Sequence, residues 1–405
     1  SDDLLTGTAI VGGTGTDTMN VTAKAGTSDM TNVSGVEQLN VLAGAAGTEV
    51  VNITVVDAGI AALKTLTVDA SALTSTTATM TFDASAEIDG YVHVTGGAAI
   101  DTITGGALAD TIIGGGGADI LDGGAGNDTI SGGVGADIIT AGAGEDTITG
   151  GAGNDTITMA ANLTAADTID GGEGSDTLNV TSVSAATLAG VTNVETLAVT
   201  GASTVSLTTD LAFTTIDLSN TSAQNLTFAT GYTAATTVKL GAAGGSDTIV
   251  NTAKIALTVD STDAGNMTSS VTITGSTATE TLIVTADASD AIDFTNITLV
   301  DNLTIRDGST SGDDVTVTLG AYATALTIDA SALNGTDEVL TVSGDTATKA
   351  LTITAGNGAD QITGGAGNDT ITLGSGADVY NEFDGNDNVT GGAGNDTFDV
   401  GDAQL

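Results

Sequence analysis

Short runs in which apolar and polar residues alternate recur along the 405-residue chain: TLTVDAS at 65–71, ATMTFDAS at 78–85, TIDLS at 215–219, TLIVTA at 281–286, DVTVTLG at 314–320 and ALTITAG at 350–356. Period-two alternation of β-branched residues, ended by Asp, Gly, Ser or Asn, predicts short strands with one buried face. Helical periodicity is nearly absent, and DAGIAAL, Asp57 to Leu63, is the best candidate for a short helix. No run of 18 apolar residues occurs, so the pattern predicts no membrane-spanning helix.

A stricter period governs two stretches. From Gly96 to Thr158 the chain divides into seven nonapeptides without a gap: GGAAIDTIT, GGALADTII, GGGGADILD, GGAGNDTIS, GGVGADIIT, AGAGEDTIT and GGAGNDTIT. Twelve residues, MAANLTAADTID, intervene before GGEGSDTLN at Gly171, and a second block of five runs from Ala355 to Asp399. A lone copy, GGTGTDTMN, begins at Gly12. A longer cassette overlies these: GGTGTDTMNVT returns as GGEGSDTLNVT at 171–181, GVEQLNV at 35–41 as NVETLAV at 193–199, and LTVDASAL at 66–73 as LTIDASAL at 326–333. The cassette occurs twice and a third opening follows, as expected of a stretch of a longer repetitive protein.

Glycines in the first four positions of a nonapeptide allow a tight turn, and the eighth position is a large apolar residue suited to an inward-facing strand. In the first block these are Ile103, Ile112, Leu121, Ile130, Ile139, Ile148 and Ile157. Two nonapeptides make an 18-residue coil, so turns 18 residues apart stack at strand spacing, about 4.7–4.9 Å. The Asp at position six then forms carboxylate ladders, which repel unless something positive lies between the rungs. Candidate rungs are Asp110, Asp119, Asp128, Asp137, Asp146, Asp155 and Asp176, then Asp360, Asp369, Asp378, Asp387 and Asp396. Carboxylates with backbone carbonyls are the oxygen set that calcium prefers; zinc and copper favour His and Cys ligands.

Composition narrows the function. Fifty-one acids against six Lys or Arg give a formal net charge of −45, yet only 14% of residues are charged, and Pro, Cys and Trp are absent. The field repels nucleic acid and anionic membranes and attracts cations. With one histidine (His93), no cysteine and neither G-x-S-x-G nor H-E-x-x-H, the chain lacks a hydrolytic constellation, and its glycine runs lack the Lys of a phosphate loop. It is therefore expected not to be an enzyme. The acidic start, Ser1-Asp2-Asp3, is not that of a signal peptide.

The nonapeptides resemble the calcium-binding RTX repeat. This resemblance implies an all-β, right-handed parallel β-roll or β-solenoid with several bound Ca²⁺ ions, arranged here as solenoid segment 1–95, roll 96–179, solenoid strands 180–354 and roll 355–405. In that family one turn offers the carbonyls of positions two and four, its neighbour those of one and three, and both offer the Asp. Carried over, the second and fourth positions are Gly115 and Gly117, Gly124 and Gly126, Gly133 and Gly135, Gly142 and Gly144, and Gly151 and Gly153. In the second block they are Gly356 and Gly358, Gly365 and Gly367, Gly374 and Gly376, and Gly392 and Gly394. The paired acids are Asp119 with Asp137, Asp137 with Asp155, Asp128 with Asp146, Asp360 with Asp378, Asp369 with Asp387, and Asp378 with Asp396. Ala99 and Leu108 at position four weaken the sites of Asp101 and Asp110, and Glu382-Phe383 before Asp387 weakens that one.

Rich in Thr, Ala, Gly and Asp, the chain also resembles RTX-type bacterial S-layer proteins. This implies a secreted cell-surface subunit, exported by a type I route, that assembles with copies of itself into a calcium-dependent lattice. Anchoring to lipopolysaccharide or another surface glycan would involve a region outside this chain. The alternatives are a stalk of a large RTX adhesin or the calcium-binding tail of a secreted enzyme.

Overall fold

The computed structural model describes residues 10–23, 33–44, 47–56, 60–181, 187–201, 203–207, 213–219, 224–229, 232, 234–240, 248–251, 253, 255, 257–261, 272–275, 279–285, 290–294, 297–308, 314–319, 324–344, 347–381 and 384–399. The fold is all-β, a parallel β-solenoid. It divides into two units, residues 1–181 with 186–197 and residues 182–185 with 198–405, each holding one nonapeptide block.

In the first unit two parallel ladders face each other. One steps through Thr65–Asp69, Tyr91–Thr95, Thr111–Gly116, Thr129–Val134, Thr147–Ala152 and Thr168–Glu173. The other steps through Val50–Val56, Thr79–Ala86, Thr102–Thr104, Ile120–Asp122, Ile138–Thr140, Thr156–Ala160 and Thr177–Val180. Identical positions stack: Ile112 on Ile130 and Ile130 on Ile148 in one ladder, Ile103 on Leu121 and Leu121 on Ile139 in the other. All seven predicted inward residues are at most 1% exposed. A core one side chain thick from each ladder suffices here, because every coil buries its apolar residue against the coils before and after it. Each such side chain contributes on the order of 2 kcal/mol of burial.

The second unit repeats the device. Leu326–Asp329, Leu351–Thr354, Thr370–Thr372 and Asn388–Thr390 form one parallel ladder, and Val315–Thr318, Leu340–Ser343, Gln361–Thr363, Val379–Asn381 and Thr397–Asp399 another. The cassette repeats in conformation as well as in sequence. After their strands, LTVDASAL and LTIDASAL both turn with Leu73 N–H donating to Ala70 O (2.8 Å) and Leu333 N–H to Ala330 O (3.0 Å). In each, the preceding acid caps the turn: Ser71 N–H donates to Asp69 and Ser331 N–H to Asp329.

Three expectations need correction. Ile60–Leu63 form a bend and turn, not a helix, because Leu63 stands at φ 60°, in the left-handed region that ends a helical path; Asp57–Gly59 lie outside the described residues. The twelve residues after Thr158 are no interruption: Thr147 stacks on Thr168, so the segment is a half-coil with three residues to spare. The apolar eighth position predicts an inward side chain for Tyr380 and Phe398 of the second block too; Tyr380 is buried, but Phe398 is 46% exposed, since its strand pairs with Val379–Asn381 and no described strand covers its other side.

Candidate metal centre

Each rung of the carboxylate ladder is tied to the previous coil. The backbone N–H of Asp101 donates to Asp119 Oδ1 (2.7 Å), that of Asp119 to Asp137 (2.7 Å), that of Asp137 to Asp155 (2.8 Å) and that of Asp155 to Asp176 (2.8 Å). On the opposite side Asp110 donates to Asp128 (2.8 Å) and Asp128 to Asp146 (2.9 Å). In the second unit Asp360 donates to Asp378 (2.9 Å), Asp369 to Asp387 (2.9 Å) and Asp378 to Asp396 (3.3 Å). All six acid pairs expected from the nonapeptide spacing therefore stand one above the other.

The second carboxylate oxygen sorts the rungs into two classes. In Asp119, Asp128, Asp137, Asp146, Asp155, Asp176, Asp360, Asp369 and Asp378, Oδ2 is buried and accepts no hydrogen bond. In Asp101 and Asp110, Oδ2 accepts the N–H of Gly97 and of Gly106, both at 2.6 Å. Asp17 of the isolated copy is closed in the same way by Gly13 N–H. The glycine at position two makes the difference. Where it is left-handed, as at Gly115 (φ 109°) and Gly133 (φ 111°), its N–H makes no bond to the carboxylate; Gly97 and Gly106 are not in that region. Asp360 is intermediate: Gly356 is not left-handed, and its N–H steadies the carboxylate without a well-formed bond to Oδ2. Neither Gly358 nor Gly367 is left-handed, whereas Gly117, Gly124, Gly126, Gly135, Gly142, Gly144, Gly151, Gly153, Gly365, Gly374, Gly376, Gly392 and Gly394 are.

A buried carboxylate oxygen without a partner is costly, and nine in register need a common explanation. Burial pushes these carboxyls upward, and neighbouring rungs add to the effect: Asp119 and Asp360 reach about 7, Asp128 about 8 and Asp369 about 6. Backbone N–H donation to Oδ1 opposes the shift but does not cancel it. A cation removes the conflict. Among the described residues no three Asp, Glu, His or Cys side chains converge, so an all-side-chain cage is absent. The donors that fit are carboxylates from successive coils together with turn carbonyls, an all-oxygen set suited to calcium. The first glycine keeps the place open: a Cβ on Gly114 would sit 2.5 Å from Asp119 Oδ2, and one on Gly123 2.5 Å from Asp128 Oδ2. Bound calcium would neutralise the ladder and cross-link consecutive coils.

Some rungs depart from the expected set, and others escaped the sequence pattern. Asp110 is on the ladder but carries a closed Oδ2. Tyr380 Oη donates to Asp387 Oδ2, so that carboxylate is already engaged; the residues before it, Glu382 and Phe383, lie outside the described residues. Asp396 is half-buried at the edge. Asp167 continues the ladder above Asp146 by accepting its N–H at 2.7 Å, and Thr164 N–H closes its other oxygen. The signal for Asp167 was present: DTI at 167–169 reproduces positions six to eight without the glycines. Glu37 and Glu195 take the same place above Asp17 and Asp176, accepting their N–H groups at 2.8 Å.

Comparison with known families adds one finding: the profile of the RTX calcium-binding nonapeptide repeat matches residues 95–130, 122–157, 164–180, 352–380 and 383–403. The chain carries RTX calcium-binding nonapeptide repeats. The matched RTX segments include every rung with an orphaned oxygen, and Asp167 as well. The isolated copy at Gly12, whose Asp17 is closed, lies outside them. No curated protein matches the chain.

Proposed function

We propose that this chain is a structural segment of a secreted bacterial surface layer, in which calcium stiffens the RTX coils and bridges acidic faces of neighbouring copies into a two-dimensional lattice. The observation that carries the reading is the row of buried, unpartnered Asp oxygens in a chain of net charge −45. Within a subunit, calcium converts repelling rungs into cross-links. Between subunits, the same cation relieves the repulsion of surfaces that carry 51 acids against six Lys or Arg. Among the described residues a single ion pair occurs, Arg306 with Asp260 at 3.4 Å, so the protein's own cations do little of this neutralising. The sequence holds neither G-x-S-x-G nor H-E-x-x-H, and an extracellular, calcium-rich setting suits coils that need the metal to close.

Attachment to lipopolysaccharide or another surface glycan would belong to parts of the protein outside this chain. A second reading, a calcium-stiffened adhesin stalk, is supported by the regular stacking of the coils within each unit. The two part experimentally. Purified chain given millimolar calcium forms ordered sheets in negative stain if it is a lattice subunit. If it is a stalk it stays dispersed while gaining thermal stability, and that result would overturn the lattice reading.

A further inference from the structure

The open oxygen of a rung faces the coil that follows it. A Cβ on Gly114 would lie 2.5 Å from Asp119 Oδ2 and 2.5 Å from the carbonyl oxygen of Gly132, one coil later, and a Cβ on Gly150 would fall in the same way between Asp155 Oδ2 and Gly171 O. Each step of the ladder is therefore a space bordered by the lower carboxylate and by a carbonyl of the upper turn. Asp119, Asp137, Asp155 and Asp176 form one column with four open oxygens, but only three steps of this column lie between nonapeptides. The fourth oxygen, Asp176 Oδ2, faces a turn of another composition.

That turn is Asn193-Val194-Glu195, and it reproduces the nonapeptide step. A Cβ on Gly171 would fall between Asp176 Oδ2, at 2.7 Å, and the carbonyl oxygen of Asn193. Thr196 N–H donates to Asp176 O at 2.9 Å, the bond that Ile138 makes to Asp119 and Thr156 to Asp137. Glu195 Oε2 accepts the N–H of Asp176 at 2.8 Å, as the upper aspartate does at the steps below. Asn193 stands at φ 50°, a left-handed conformation that Asn visits more readily than most residues, and its Nδ2 donates to Asp170 Oδ1 at 2.7 Å. The cassette holds a second version of this junction at 12–37. There Gly35 is left-handed (φ 62°), a Cβ on Gly12 would fall between Gly35 O and Asp17 Oδ2, and Glu37 accepts the N–H of Asp17. One difference separates the two. Gly13 is not left-handed and its N–H fills Asp17 Oδ2, whereas Gly172 stands at φ 105° and leaves Asp176 Oδ2 without a donor on a residue that is 0% exposed.

We propose that Asp176, the Asn193 carbonyl and Glu195 hold a calcium ion, so that the metal column runs one step past the last nonapeptide of the first block, and that the matching junction of Asp17, Gly35 and Glu37 holds none. The proposal rests on the RTX reading of the ladder below it. Two carboxylates and a backbone carbonyl are oxygen donors of the kind calcium takes, and its irregular coordination tolerates a glutamate where the nonapeptides place an aspartate. The ion would tie the nonapeptide block to the strand that begins at Thr196.

The test is ion counting on the full chain, by equilibrium dialysis at a free calcium concentration that just saturates wild type, with circular dichroism to confirm that each variant is folded. Glu195→Gln keeps the shape and removes the charge, and is expected to bind one ion fewer than wild type. Glu37→Gln, the same change at the closed junction, is expected to leave the count unchanged. Asp176→Asn belongs to the steps on both sides of it and is expected to bind two ions fewer. An unchanged count in Glu195→Gln, a loss of only one ion in Asp176→Asn, or an equal loss in Glu37→Gln overturns the proposal, and the Asp176 variant decides alone if Glu195→Gln does not fold. A wild-type chain that binds no calcium overturns the RTX reading itself, a different failure from the loss of this one site.

Discussion

The backbone N–H of Asp119 donates to Oδ1 of Asp137, one coil further along, at 2.7 Å, while Oδ2 of Asp137 is buried with no donor in reach. One carboxylate therefore both fastens the coil before it and presents a charge that the protein alone does not answer. Asp137 in turn donates its own N–H to Asp155.

Calcium removal should loosen the nonapeptide blocks first. Chelator is expected to reduce the β-type circular dichroism and calcium to restore it. Magnesium at equal concentration should restore much less, because it demands tight octahedral geometry and sheds water reluctantly. Equal potency of the two ions would count against the proposed donor set.

Asp137→Ala should cost two calcium ions, since Asp137 belongs to two stacked pairs, whereas Asp396→Ala should cost one. The first substitution also strands the N–H of Asp119, a penalty of about 1–3 kcal/mol that calcium does not relieve. Ion counting and calcium-saturated melting, measured on both variants, check the two effects separately.

The pH dependence should reverse with the metal. Asp369 stands at about 6, Asp119 and Asp360 at about 7 and Asp128 at about 8, all above an ordinary 3.8. Between the unfolded and folded values the folded chain binds more protons, so stability without metal is greatest in acid and falls as pH rises through the window from about 4 to about 8. In chelator the melting temperature should drop between pH 5 and pH 8. In saturating calcium it should rise over the same range, because calcium takes the ionised carboxylates. Parallel curves in the two conditions would contradict the ladder as the metal site.

Gly135→Ala should be severe and Gly116→Ala mild. Gly135 stands at φ 142°, and a Cβ there would run into the carbonyl oxygen of Gly117. Gly116 is not left-handed, its nearest neighbour to a new Cβ is at 3.6 Å, and it stacks on Val134, which stacks on Ala152. Expected losses are about 2 kcal/mol or more for the first and within about 0.5 kcal/mol for the second, read from calcium-saturated denaturation.

Much of this was legible because the repeat writes geometry directly into spacing. Nine residues per half-coil forced Asp119 over Asp137 and Ile130 over Ile148, and neither placement needed long-range reasoning. What escaped was carried by backbone alone. Asp167 occupies its rung through a turn closed by Thr164 instead of glycine, so a glycine-led pattern passes over it. Glu37 and Glu195 reach the same place with a longer side chain from a turn of another composition. The closed state of Asp110 depends on Gly106 retaining an ordinary φ, and the same residue type at Gly115 turns left-handed. A glycine in a sequence permits both and selects neither. Phe398 follows the apolar pattern faithfully, but pattern alone does not supply a neighbour to cover it.

The rung-to-rung bonds all point one way: the amide of an earlier coil leans on the acid of a later one. Order is thus lent backwards along the chain, and a coil is finished only once its successor has been laid down. Damage should share that direction. A lost aspartate loosens the turn on its N-terminal side before it troubles the turn that follows, giving the solenoid a grain, like a row of roof tiles that lifts from one edge only.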